Sequence, residues 1–168
     1  GAAYANLTRH DDAIEAFRQA IRINPEDAEV WNGLGIAYGN LTRYDDAIEA
    51  FRQGTRINPE LAAAWGNLGV AYDNLKRSDD AIDAYRAALR INPEDADAWH
   101  GLGLAYGKLD RSDDAIDAYR QATRINPENA GAWVTLGVAY ANLNRHDEAS
   151  EAYREALRIT PEDADAWY

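Results

Sequence analysis

Residues 28–61 read AEVWNGLGIAYGNLTRYDDAIEAFRQGTRINPEL, and the chain repeats this sentence with small changes. Proline stands at Pro25, Pro59, Pro93, Pro127 and Pro161, and tryptophan at Trp31, Trp65, Trp99, Trp133 and Trp167, so both series step by 34 residues. A fixed period of this length replaces the expectation of one globular core with a stacked array of supersecondary units. Within the quoted unit, Trp31, Leu34, Ala37, Tyr38 and Leu41 follow three- and four-residue steps, which place them on one face of a helix, here helix A. Asp45 and Asp46 then put negative charge at the positive end of a second helix, helix B, whose Ala47, Ile48, Phe51 and Ile57 mark its inward side. Asn58-Pro59 closes the unit, because the residue before proline is pushed out of the helical region and proline suits a helix start. No unit carries the alternation of a strand.

Composition sets the outer limits. A chain of 168 residues with 46% hydrophobic residues can bury a core, and with 27% charged residues it offers no apolar stretch near the ~20 residues that cross a bilayer. The net charge of −12 repels phosphate backbones, and the 17 Lys and Arg recur singly instead of clustering, so neither nucleic acid nor membrane insertion is expected. The absence of cysteine removes disulfides, thiolate nucleophiles and Cys-ligated metals while leaving cytoplasm and periplasm both open, with the cytoplasm the expectation. Lacking methionine and a charged-then-apolar leader, the sequence reads as part of a longer polypeptide.

Trp31-x-x-Leu34-Gly35-x-x-Tyr38, then Ala47-x-x-x-Phe51, then Pro59, resembles the tetratricopeptide repeat signature, and the resemblance covers essentially the whole chain. It divides one continuous array into a partial repeat at 1–27, full repeats at 28–61, 62–95, 96–129 and 130–163, and the start of a further helix at 164–168. The resemblance implies an all-α, right-handed superhelical α-solenoid of antiparallel helix pairs, ten helical segments in all with the first and last incomplete. Two departures are local. Gly54 stands where the family has alanine, weakening helix B by about 0.5–1 kcal/mol and marking a place for a neighbour's backbone to approach. The glycine that the family commonly places between helices A and B is Thr8, Thr42, Lys76, Asp110 or Asn144 here, and a left-handed turn would be strained at most of these.

With one face of helix A committed to its neighbours, recognition falls to the other, which in similar proteins lines a concave groove. That face carries an apolar row, Ile36, Val70, Leu104 and Val138, beside a polar row, Asn6, Asn40, Asn74, Lys108 and Asn142, with Asn32, Asp73 and His100 on the same side. Apolar rows accept side chains and amides both donate to and accept from a peptide backbone, so a peptide or protein segment is the expected partner. The asparagines have a local alternative as well, since they stand near helix ends and can serve the terminal carbonyls or the next turn. Glu26, Glu60, Glu94, Glu128 and Glu162 near the turns favour a neutral or basic ligand.

Chemistry finds little footing. His10 and His146 share a repeat position, His100 stands alone, and no two histidines have metal-ligand spacing. There is no phosphate-binding glycine loop or nucleophile elbow, so no catalytic, cofactor or metal site is expected. A structural alternative is head-to-tail stacking of copies through Gly1, Tyr4, Trp167 and Tyr168, where both ends interrupt a helix A.

Overall fold

A computed structural model describes the backbone of residues 2–161 and the side chains of residues 9–161. The described residues form helices and no strand: α1 (Ala2–Ile23), α2 (Ala28–Asn40), α3 (Tyr44–Ile57), α4 (Ala62–Asn74), α5 (Ser78–Ile91), α6 (Ala96–Lys108), α7 (Ser112–Ile125), α8 (Ala130–Asn142) and α9 (His146–Ile159). Two compact units divide them at Pro93 and Glu94. In the first, α1 packs on α2, α2 on α3, α3 on α4 and α4 on α5, and α2 also touches α4. The second joins α6 to α7, α7 to α8 and α8 to α9. The even-numbered helices from α2 to α8 are helices A, and the odd-numbered ones from α3 to α9 are helices B.

The small residues of the pattern set how closely each pair approaches. A Cβ on Gly35 would lie 2.4 Å from the Phe51 ring, so the ring of helix B rests directly on the backbone of helix A. Gly69, Gly103 and Gly137 receive Tyr85, Tyr119 and Tyr153 in the same way. Burying each such ring contributes on the order of 1.5–3 kcal/mol. Ala47, Ala64, Ala81, Ala88 and Ala105 have no exposed surface at all, which leaves no volume for larger side chains between the helices. At Gly54 an added Cβ would stand 3.2 Å from the Ala28 carbonyl oxygen, the close backbone approach that its place in the repeat suggests.

The turn inside each pair is the left-handed one, although no glycine makes it. Thr42, Lys76, Asp110 and Asn144 have φ of 57° or 58°. After α2, the Thr42 N–H donates to the Gly39 carbonyl (2.8 Å) and the Arg43 N–H to the Tyr38 carbonyl (3.0 Å). This is the Schellman closure, and it recurs after α4, α6 and α8. Satisfying the helix-end carbonyls and packing the second helix back on the first offset roughly 1–2 kcal/mol of strain at each turn.

Thr8 does not follow. At the position equivalent to Thr42, α1 runs straight through, so the expected break between a first helix A and a first helix B is absent. Nine helices result among the described residues, because one helix stands in 1–27 where two were expected; the further segment at 164–168 falls outside them.

Between repeats, one hydrogen bond ties the proline series to the tryptophan series. The indole N–H of Trp31 donates to the Pro25 carbonyl, Trp65 to Pro59 and Trp133 to Pro127, each at 2.9 Å. The Asn side chain before the proline folds the same turn: Asn24 and Asn58 accept from the N–H groups of Glu26 and Glu60. Asp27, Asp95 and Asn129 then cap α2, α6 and α8, whereas Leu61 leaves α4 without a side-chain cap.

Candidate functional site

The face of helix A turned away from helix B leaves large apolar side chains in solvent. In the first unit Ile36 is 43% and Val70 50% exposed; in the second Val138 is 45% exposed and Leu104 is half-buried. Asn40, Asn74, Lys108 and Asn142 stand one turn further along the same helices, all exposed. Backbone N–H groups of the Schellman turns reach carbonyls at the helix ends. Asn74 donates one amide hydrogen to the Val70 carbonyl (2.8 Å), leaving its own carbonyl oxygen as an acceptor.

Deeper on this side, polar rungs join successive helices A. Asn32, only 8% exposed, accepts a hydrogen bond from the Asn67 amide at 3.0 Å, tying α2 to α4. In the second unit His100 Nε2 meets Thr135 Oγ1 at 3.1 Å, tying α6 to α8. Thr135 Oγ1 also lies 2.9 Å from the Ala132 carbonyl and 3.2 Å from the Gly131 carbonyl. The imidazole lies 5.6 Å from the Tyr119 ring, and burial pushes its pKa below the ordinary value, partly opposed by Asp97. Asp73 is half-buried beside the buried Tyr85, whose phenol is held up first by burial and then by the Asp73 charge. Asn32 and His100 thus space the helices beneath the apolar row. Asn6 and Tyr4 belong to α1 but their side chains fall outside the described residues, as do Gly1, Trp167 and Tyr168 entirely.

The opposite side holds grooves that sequence reading passed over. One of about 370 Å³ lies between α1 and α3 over α2, one of about 390 Å³ between α3 and α5 over α4, and one of about 640 Å³ between α7 and α9 over α8. Each floor is a Trp, a Leu and a Tyr of helix A, as in Trp133, Leu136 and Tyr140. The Tyr lies between two arginines. Arg43 sits 4.6 Å from the Tyr38 ring centre and pairs with Asp46 at 2.7 Å, while Arg18 donates to the Tyr38 hydroxyl at 2.9 Å. Arg77, Asp80 and Arg52 repeat this around Tyr72. Arg18, Arg52 and Arg120 recur in one register of the repeat at these grooves.

Family models described as tetratricopeptide repeat match residues 34–96 and 100–164, and a TPR repeat model matches residues 1–41. The chain belongs to the tetratricopeptide repeat family. Its helix pairs are those of the solved tetratricopeptide structures. A crystal structure of MamA is 31% identical with a TM-score of 0.86, the match covering 95% of this chain and 92% of that one. A thermophilic tetratricopeptide repeat protein of Thermus thermophilus is 27% identical with a TM-score of 0.73, covering 98% and 90%. YrrB, described as having an unusual peptide-binding site, shares the fold at 22% identity and a TM-score of 0.78, covering 95% and 82%. No curated protein matches the chain.

Tetratricopeptide repeats as a family are protein-interaction scaffolds, and this chain is one in that general sense. Among the described residues, no group of three or more His, Asp and Glu is placed to hold a metal ion, and no helix is long and apolar enough to cross a membrane.

Proposed function

We propose that the chain holds an extended peptide or protein segment against the helix-A face, through Ile36 and Val70 with Asn40 and Asn74 in the first unit and through Leu104 and Val138 with Lys108 and Asn142 in the second. The observation that carries this reading is the exposure of Ile36, Val70 and Val138 on helices whose other face is packed. Apolar side chains in solvent at matching positions of successive helices suit alternate side chains of an extended ligand, and the neighbouring amides suit its backbone. The peptide-binding site ascribed to YrrB supports the class of ligand. The net charge of −12 favours a neutral or basic segment. Asn32 and His100 serve this site by fixing the spacing of helices A.

Isothermal titration against a peptide array tests the reading. Val70→Asp and Val138→Asp are expected to abolish the affinity of a selected peptide while leaving the helical circular dichroism unchanged, since both residues are exposed. Affinity that persists in both variants overturns it. Head-to-tail stacking is the competing proposal; sedimentation that depends on concentration in the parent chain and not in Trp167→Ala would favour it.

A further inference from the structure

Helix α1 is packed on one side and bare on another. On the side turned to α2, Arg18 donates to the Tyr38 hydroxyl. A second face, Ala13, Ala16, Phe17 and Ala20, follows three- and four-residue steps; Ala16 on it is exposed and the other three are half-buried. The same register is closed in α3, α5, α7 and α9. Ala50, Ala84, Ala118 and Ala152, the counterparts of Ala16, are each 2% exposed, and Ala47 and Ala81, the counterparts of Ala13, have no exposed surface. The cover is the helix A of the same repeat. The Phe51 ring rests on Gly35 of α2, an added Cβ at Gly54 would meet Ala28 and Trp31 of α2, and Ala50 borders Trp31 and Leu34. Arg43, Arg77, Arg111 and Arg145 lie over the tyrosine ring of that helix, 4.5 or 4.6 Å from its centre.

For α1 that helix is missing, since the chain runs through Thr8 without turning. Three side chains register the loss. The Phe17 ring lies on Gly33 of α2, where an added Cβ would stand 2.6 Å from it, and not on a helix of its own repeat. No described ring lies against Arg9, the counterpart of Arg43. Ile23 is 87% exposed, whereas Ile57, Ile91 and Ile125 are half-buried. Four repeats thus specify the occupant, because the interface that each of them buries continues in register onto α1 and is left uncovered there. We infer that the bare face of α1 docks one helix of a partner protein, carrying the helix-A pattern Trp-x-x-Leu-Gly-x-x-Tyr. Its glycine admits the Phe17 ring, its tyrosine lies under Arg9, and its Trp and Leu close over Ala16. The small Ala13, Ala16 and Ala20 bring the two backbones close, so a bulky side chain in place of that glycine has no room. This surface lies on a different helix from the peptide-binding face proposed above, and it takes a wound ligand in place of an extended one.

A labelled peptide of residues 28–41, which carries the pattern, tests the inference by fluorescence anisotropy on the full chain. Saturable binding is expected, weakened about tenfold or more when Gly35 of the peptide is replaced by leucine. Ala16→Arg in the chain puts a long charged side chain on the bare face and is expected to weaken binding by a similar factor. The helical circular dichroism should not change, because Ala16 is exposed. Val70→Asp and Val138→Asp should leave the affinity untouched, which separates this surface from the helix-A site. No saturable binding, equal affinity in Ala16→Arg, equal affinity of the leucine peptide, or loss of affinity in Val70→Asp would overturn the inference. So would self-association of the chain alone that Ala16→Arg abolishes, since the face would then belong to a second copy.

Discussion

Thr42 is the residue where chain chemistry and required geometry disagree most. It is β-branched and exposed, yet its φ is 57°, a conformation in which such residues are outliers. Thr42→Gly is expected to raise stability by about 1 kcal/mol, the relief of strain exceeding the added flexibility of the unfolded chain. Asn144→Gly should gain less, since asparagine tolerates the left-handed region. Thermal melts of the two variants check the order. At His100 the prediction concerns pH. Burial lowers its folded pKa below the ordinary 6.5, so the unfolded chain takes up the proton first as pH falls. The stability of the neutral, buried form is complete above the unfolded value and is lost progressively from there down to the lowered folded value. Asp97 opposes the shift, and Thr135 and Tyr119 face the ring. Urea denaturation across that window should show His100→Asn losing less stability on acidification than the parent chain.

At the scale of the helix, most of the pattern was legible. The three- and four-residue steps gave helix A, the acidic pairs marked the start of helix B, and Asn-Pro marked its end; the helices close at Ile57, Ile91 and Ile125, just before those asparagines. Composition could not give the left-handed turns, because Thr, Lys, Asp and Asn are poor local indicators of a conformation imposed by packing on both sides. Nor could it show α1 running through Thr8, since threonine at the equivalent Thr42 does turn. Capping leaves one gap. Asp27, Asp95 and Asn129 accept from the first N–H groups of their helices, but Leu61 cannot. Leu61→Asp is expected to stabilise the chain by about 1 kcal/mol, read as a rise in the denaturant midpoint; no rise would mean that lost Leu61 packing cancels the cap.

Across the whole molecule, periodicity exposed the inner logic and concealed part of the outer one. The apolar row of helix A was readable because Ile36, Val70, Leu104 and Val138 break the alternation of a solvated face. The depth of Asn32 and His100 was not visible, because burial there depends on Asn67 and Thr135 from the next repeat. The helix-B grooves went unread because their floors combine a Trp, a Leu and a Tyr that the repeat pattern assigns to packing.

The indole-to-proline bonds also make the chain its own strain gauge. Trp31, Trp65 and Trp133 each anchor their N–H on the carbonyl of the preceding seam, with the ring only half-buried. Opening any of these seams frees an indole into water and shifts its emission to the red, even while both flanking helices remain wound. Fluorescence and far-ultraviolet dichroism therefore watch different joints of this chain. A ligand that spreads or tightens neighbouring repeats announces itself in the first signal without moving the second, with no dye attached.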